Sequence, residues 1–320
     1  MDPIKFASII ATYRCNARCH MCGIWEHATK PDEEIGPDVI AKIPFVPTIN
    51  LTGGEPFLRA DIREVIDVLK RRSKRLVIST NGFWTDKILE VAEKYPDIGI
   101  RVSIEGLPKA NDELRGIRDG FDKGLRTLLT LIRMGLKDVG FAITLSDKNA
   151  KDLMELHTLA KAMRVEFATA AVHNSFYFHK HDNRIENPDL MVAELEKLIS
   201  ALLHSRRIKD WFRAYFNYGL QNYAKGNPRL LPCKMGRHAF FLDPYGEVLA
   251  CNGTPTPMSM GNLKTKSFEE IWNGAEAKKV REAARTCARN CWMMGSVAEP
   301  MKENLGTVIK WVVKRKIFGR

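Results

Sequence analysis

Between residues 1 and about 172 the chain alternates short β-branched runs with amphipathic stretches, and this alternation most constrains its fold. The runs are Phe6–Ala11, Thr48–Thr52, Arg75–Thr80, Ile98–Ile104, Val139–Leu145 and Val165–Ala170. Helical periodicity occupies 37–43, 61–72, 86–94, 121–135 and 150–163. In the second of these, Asp61 reads as an N-cap before the apolar face Ile62, Val65, Ile66 and Leu69. Strands separated by helices pair in parallel, because the crossover returns each strand in the same direction. Six strands fall short of a closed eight-stranded barrel. The expected fold class is α/β, a partial (β/α)6 TIM-like barrel over residues 1–185 with a small C-terminal domain. A helical linker is expected over 186–232, where a helical stretch at 189–205 precedes the aromatic segment Trp211–Tyr223. A cysteine-bearing domain should occupy 233–295, and a basic amphipathic helix 296–320.

Parallel α/β sheets carry their chemistry at the C-terminal ends of the strands. The first strand here runs into Cys15, Cys19 and Cys22, a C-x3-C-x2-C loop. The second is followed by Gly53-Gly54-Glu55-Pro56, the third ends in Ser79-Thr80-Asn81-Gly82, and the fourth in Ser103-Ile104-Glu105-Gly106. Three thiolates are one short of a full ligand set for a four-iron cubane, which takes one per iron. The cluster would keep one iron open to an exogenous ligand. A zinc ion completed by His20 or a distant residue is the other reading of the same loop. Seven cysteines in a chain without an export signal argue against a disulfide framework. They divide as three plus four, the second group being Cys233, Cys251, Cys287 and Cys291. Four thiolates could hold a closed cluster or a structural zinc.

The cysteine loop after strand one and the Gly53-Gly54-Glu55-Pro56 run after strand two resemble the two marks of the radical S-adenosylmethionine (SAM) superfamily. Val102-Ser103-Ile104-Glu105-Gly106 and Leu114-Arg115-Gly116 resemble its later segments, and the likeness covers residues 6–172. The stretch from Cys233 to Cys291 is similar to a SPASM domain or its shortened twitch form. The resemblance implies a SAM-binding 4Fe–4S cluster on Cys15, Cys19 and Cys22, and one auxiliary 4Fe–4S cluster on Cys233, Cys251, Cys287 and Cys291. It also implies reductive cleavage of SAM to a 5′-deoxyadenosyl radical that takes hydrogen from a substrate carbon, with oxidation, epimerisation or bond formation as the outcome. SAM contacts would fall to Met21, where relatives carry an aromatic residue against adenine, and to Gly53, Gly54, Glu55, Pro56, Ser79, Ser103, Glu105 and Arg115. The glycines would allow close approach to the ligand, Glu55 would receive its ammonium group, and Arg115 would pair with its carboxylate or form a surface salt bridge. Glu105 stands where relatives often have Asp.

His173 and Tyr177, in the polar loop after the sixth strand, are candidate catalytic residues. Ser267 with the glutamates after it resembles a capping box. The substrate is expected to be small and polar, carbohydrate-like or lipid-linked, because nothing precedes the barrel that would recruit a leader peptide; a peptide-modifying maturase is the alternative. A metal-binding regulatory protein without turnover is the alternative of another class. An electron donor such as flavodoxin or ferredoxin is implied. The net charge of +12 comes with no nucleic-acid motif, so nucleic acid is not expected as a partner. No signal peptide or membrane-spanning run is present, which points to a cytoplasmic protein. Residues 305–320 mix apolar side chains with Lys310, Lys314, Arg315, Lys316 and Arg320, so they could lie on the inner membrane face or dock on the protein's own core.

Overall fold

A computed structural model describes residues 3–319; Met1, Asp2 and Arg320 lie outside the described residues. Strands β1 (Phe6–Ile10), β2 (Val46–Thr52), β3 (Ser73–Thr80), β4 (Gly99–Ser103), β5 (Val139–Leu145) and β6 (Glu166–Ala171) stand in chain order, every neighbouring pair parallel. The crossovers carry α1 (Pro37–Ile40), α2 (Ile62–Arg71), α3 (Thr85–Lys94), α4 (Pro108–Arg115), α5 (Gly120–Arg133) and α6 (Leu153–Ala162). This is the expected partial α/β barrel. Along these strands side chains alternate between an apolar face covered by the helices and a face that carries the half-buried Thr48, Asn50, Ser79, Arg101 and Ser103. Ile49, Leu51, Ile78, Ile100, Val102, Phe141 and Ile143 are all buried in one core.

Two local details differ from the sequence reading. Asp61 stands at the start of α2 but makes no side-chain cap. Its two oxygens instead accept from Arg59 at 2.8 and 2.7 Å. Helix α4 was not foreseen. It has Pro108 in its first turn and Gly116 in the left-handed conformation at its end, and at eight residues it is too short to show a periodic face.

The sheet does not stop at the barrel. Strand β7 (Ala239–Leu242) pairs in parallel with β1, and β8 (Glu247–Leu249) and β9 (Ser259–Asn262) continue antiparallel, giving the order β6-β5-β4-β3-β2-β1-β7-β8-β9. The chain therefore crosses the expected boundary at residue 233 within one continuous sheet. The expected linker is helical, as α7 (Pro188–His204) and α8 (Ile208–Ala224), but it is also core. Leu195, Leu198 and Ile199 from α7 and Ala214, Phe216 and Leu220 from α8 are buried. Beyond β9 come α9 (Phe268–Asn273), α10 (Ala275–Arg285), α11 (Met294–Glu303) and α12 (Leu305–Phe318). The capping box forms at the start of α9 between Ser267 and Glu270. Helix α12 docks on the protein itself: Val308 and Val312 are buried, and Trp311 stacks on Tyr218 of α8 at 4.9 Å.

Candidate active site

The first thiol group lies just past β1 and is held from three sides by main chain. From β2, Gly54 N donates to Thr12 O at 2.7 Å and Glu55 N to Arg14 O at 2.8 Å. This zipper needs glycine. A Cβ on Gly53, whose φ is +154°, would stand 2.5 Å from Thr12 O, and one on Gly54 would stand 2.2 Å from Arg14 O. Both glycines therefore allow close approach of the run to the cysteine loop. From α4, Arg18 N donates to Arg115 O at 3.0 Å and His20 N to Leu114 O at 2.8 Å. Gly116, at φ +55°, leaves 2.5 Å between its missing Cβ and Arg18 O. From the loop after β6, Gly23 N donates to Phe178 O at 2.7 Å, and Asn183 Nδ2 to Met21 O at 2.9 Å.

Behind this loop lies a buried polar network that the sequence reading missed. Glu34 accepts from Arg14 Nε at 3.0 Å and Nη2 at 2.8 Å, from Thr29 Oγ1 at 2.6 Å, and from Thr12 Oγ1. Arg59 donates to Ala11 O at 2.8 Å and Ile35 O at 3.0 Å. Arg14 next to Cys15 was its only signal in sequence.

The candidate SAM residues do gather at the strand ends, but several are committed to the protein. Glu55 is fully buried; Oε1 accepts from Thr80 Oγ1 at 2.9 Å and Phe57 N at 3.2 Å, and Oε2 from Asn81 N at 2.8 Å. Burial pushes its pKa up, and these donors pull it back. Its carboxylate braces β2 against β3. Pro56 is buried as the first residue of a single 3-10 turn, Pro56–Leu58. Ser79 Oγ donates to Asn50 Oδ1 at 3.0 Å. Ser103 is half-buried at the end of β4, and Met21 half-buried in the cysteine loop. Arg115 makes a buried ion pair with Glu105 at 3.1 Å, not a surface salt bridge, with both side chains under 10% exposed. Burial raises the Glu105 pKa while the guanidinium opposes the rise.

Tyr177 is buried and its hydroxyl donates to Gly53 O at 3.0 Å, so it braces the glycine run. His173 Nδ1 lies 3.2 Å from Ala171 O, which sets Nδ1–H as the donor, and Nε2 is buried without a partner among the described residues. Burial lowers its pKa.

The second thiol group collects around the β7–β8 hairpin. Cys233 and Cys251 pack with Met235, which precedes β7, and with Phe241 and Leu249 of the β7–β8 hairpin. Gly253 N donates to Cys251 Sγ at 3.2 Å, and a Cβ on Gly253 would stand 3.7 and 3.8 Å from the Cys251 and Cys291 sulfurs. Trp292 fixes Cys291 by donating Nε1–H to Phe216 O at 2.8 Å against Gly219 of α8. Phe176 packs against both cysteine-bearing clusters, with Cys15 and Cys22 on one side and Cys233 and Cys251 on the other.

Both sites fit iron–sulfur clusters. Burial pushes the Cys15, Cys22 and Cys251 thiols up to about 12, so ligation must remove protons, as thiolate–metal bonding does. Asn16, between Cys15 and Cys19, has a buried Nδ2 with no partner among the described residues, although its Oδ1 accepts from Asn81 at 2.7 Å. Arg289, between Cys287 and Cys291, likewise has a buried Nε without a partner. Both sit inside cysteine spacings, the one sequence signal that marks them. Among the described residues no three His, Cys, Asp or Glu side chains converge on a single metal ion. A cubane instead takes its thiolates at separate corners.

Comparison with known proteins agrees. Residues 9–160 match the family model of the radical SAM superfamily, and residues 233–292 that of SPASM, an iron–sulfur cluster-binding domain. Fe-coproporphyrin III synthase of Methanosarcina barkeri is 28% identical over 205 residues, 61% of this chain and 50% of its own. The antilisterial bacteriocin subtilosin biosynthesis protein AlbA of Bacillus subtilis is 24% identical over 303 residues, 87% of this chain and 61% of its own. The chain thus spans only about half to three-fifths of these relatives' length. Among solved structures, anSMEcpe with bound AdoMet and Cp18Cys peptide superposes with a TM-score of 0.67 at 14% identity, covering 97% of this chain and 99% of that one, a likeness of fold. A radical SAM domain takes SAM and a 4Fe–4S cluster, and a SPASM domain takes auxiliary cluster iron, which accounts for two separate thiol groups on one sheet. The chain belongs to the radical SAM superfamily and carries a C-terminal SPASM-type domain.

Proposed function

We propose that the protein is a radical SAM enzyme that modifies a peptide. Cys15, Cys19 and Cys22 hold the catalytic cluster in this reading, and Cys233, Cys251, Cys287 and Cys291 hold one auxiliary cluster. A cluster held there would supply the electron for reductive cleavage of SAM, and with it the chemistry of hydrogen abstraction from a substrate carbon by a 5′-deoxyadenosyl radical.

The chain's own residues do the rest. Gly53, Gly54 and Gly116 let the cysteine loop pack flush against the end of β2 and against α4. The Glu105–Arg115 pair keeps a cation beside Cys15 and Cys19, where SAM's carboxylate would also come. Glu55 and Tyr177 hold the glycine run from below and above. Met21, Pro56, Ser79 and Ser103 stand around the same strand ends. An electron donor such as flavodoxin or ferredoxin completes the cycle.

The observation that carries this reading is the three-thiol loop clamped by Gly53-Gly54-Glu55 and Leu114-Arg115-Gly116. A peptide is preferred to a small or lipid-linked substrate because the name of AlbA records bacteriocin biosynthesis and the solved neighbour holds a peptide. A second reading, a carboxylate-bearing tetrapyrrole, is favoured by the name of the Methanosarcina relative and by a cavity beside Cys19 and Cys22. That cavity, about 400 Å³, is lined by Arg18, His20, Lys180 and His181 but also by Glu26 and by Asp182, which pairs with Lys180 at 3.0 Å. The test is anaerobic reconstitution followed by SAM, dithionite and substrates deuterated at carbon. Deuterium passing from a labelled peptide into 5′-deoxyadenosine supports the proposal. Transfer from a labelled tetrapyrrole carboxylate and from no peptide would replace it with the second reading.

A further inference from the structure

We propose that the outward face of α12 is a docking surface for an anionic lipid bilayer. A helix with one partner needs one apolar face, and α12 has two. Its inner face, Val308, Trp311 and Val312, packs on α7 and α8. Its outer face repeats every fourth residue as Leu305, Ile309, Val313 and Ile317, and Phe318 follows. These five side chains are between 44% and 69% exposed, so no described residue covers them. They are nearly half of the large apolar side chains that the described residues expose, gathered on one short helix. Ile208, at 65% exposure, opens α8. Lys316 lies over the Trp211 ring at 4.1 Å, so the end of α12 sits by the start of α8 and Ile208 extends the same patch.

Charge selects the occupant. Helix α12 contains no Asp or Glu. Arg315 and Lys316 are tied to the protein, the first to Glu196 and the second to Leu203 O at 2.7 Å. Lys310 and Lys314 are exposed and form no ion pair among the described residues, and they alternate with the apolar positions. Glu303, the nearest acid before the helix, is held by Lys234 and His238. Two copies meeting through this face would bring four unneutralised lysines into one interface, which is costly. A bilayer carrying anionic headgroups satisfies lysines and apolar side chains together. The ridge is convex, which a deformable bilayer accepts without a groove. At 14 residues α12 spans roughly 21 Å, short of a hydrocarbon core, so it lies on the surface. No described helix is long and apolar enough to cross a membrane.

Removal of α12 would unpack Trp311, so point variants of the full chain make the test. Wild type, Ile309→Glu/Ile317→Glu and Lys310→Glu/Lys314→Glu are sedimented with vesicles of phosphatidylcholine alone or mixed with phosphatidylglycerol. All four positions are exposed, and thermal melts confirm that the fold is kept. Wild type is expected to bind the phosphatidylglycerol vesicles and barely bind phosphatidylcholine, with each double variant losing about tenfold or more. Equal binding to both vesicles, or unchanged binding by the variants, overturns the proposal. So does a wild-type dimer that Ile309→Glu/Ile317→Glu splits, since a second copy would then be the occupant.

Discussion

At Gly54 one missing carbon decides how the cysteine loop sits. A Cβ there would press to 2.2 Å from Arg14 O, and backbone cannot yield as a flexible side chain can. Gly54→Ala is expected to cost about 1–3 kcal/mol by overpacking and to lower iron bound at the first site, measured by denaturant unfolding and iron counts. Asp243 gives a pH-dependent test. It is buried in the β7–β8 turn, where Oδ1 accepts from Tyr245 N at 2.9 Å and Glu247 N at 2.8 Å, and burial pushes its pKa up to about 6. An acid whose folded pKa is raised holds its proton longer in the folded state than in the unfolded one. Its contribution is therefore fully present below about pH 4 and lost as pH rises through about 6, a swing of about 2–3 kcal/mol. Subtracting the stability–pH curve of Asp243→Asn from that of wild type should isolate this fall; parallel curves would remove the assignment. Residue types were legible in sequence at these positions, but their partners were not. Glu55 was readable as a carboxylate at a strand end. That Thr80 and Asn81 also donate to it, beside the local Phe57 N, depends on β3 lying beside β2, which no local pattern encodes.

The element that joins the two thiol groups is the loop from His173 to Asn183. One side is bonded to the first cysteine loop through Phe178 O and Asn183, and the other to the C-terminal domain, where Phe176 N donates to Thr254 O at 2.9 Å and Arg289 to Asn174 O at 3.1 Å. Its polar composition told of a loop, and only the fold shows it as a strap. The long crossover helices were legible because their apolar period is long. Helix α4 was not, since eight residues carry too little period and Pro108 reads equally as a turn. Helix α8 explains how Cys291 is held. Gly219 faces the Trp292 indole, and a Cβ there would stand 1.9 Å from the ring. Gly219→Ala is expected to destabilise by at least about 1–3 kcal/mol and to lower auxiliary-site iron while sparing the first site, read by unfolding and by spectroscopy of each cluster.

Across the whole molecule a single sheet carries both sites, because β7 pairs directly with β1. The barrel half was legible as strands alternating with helices. The parallel joining of β7 to β1 was not, because it links residues more than two hundred positions apart, and α7 and α8 carry the chain to β7 from β6 at the far edge of the sheet. A shared sheet fixes the distance between the thiol groups, which suits a reactive centre beside a supporting one. Full reconstitution should then give about eight irons per chain, falling to about four when either cysteine group is removed. The most direct measurement is 5′-deoxyadenosine formed from SAM under anaerobic reduction, in wild type, in Cys15→Ala/Cys19→Ala/Cys22→Ala, and in the chain with Cys233, Cys251, Cys287 and Cys291 all changed to Ala. Wild type and the C-terminal variant should form the product, and the N-terminal triple variant should fall to the protein-free level. Cleavage that persists without Cys15, Cys19 and Cys22 would contradict the assignment of the first loop as the reactive centre.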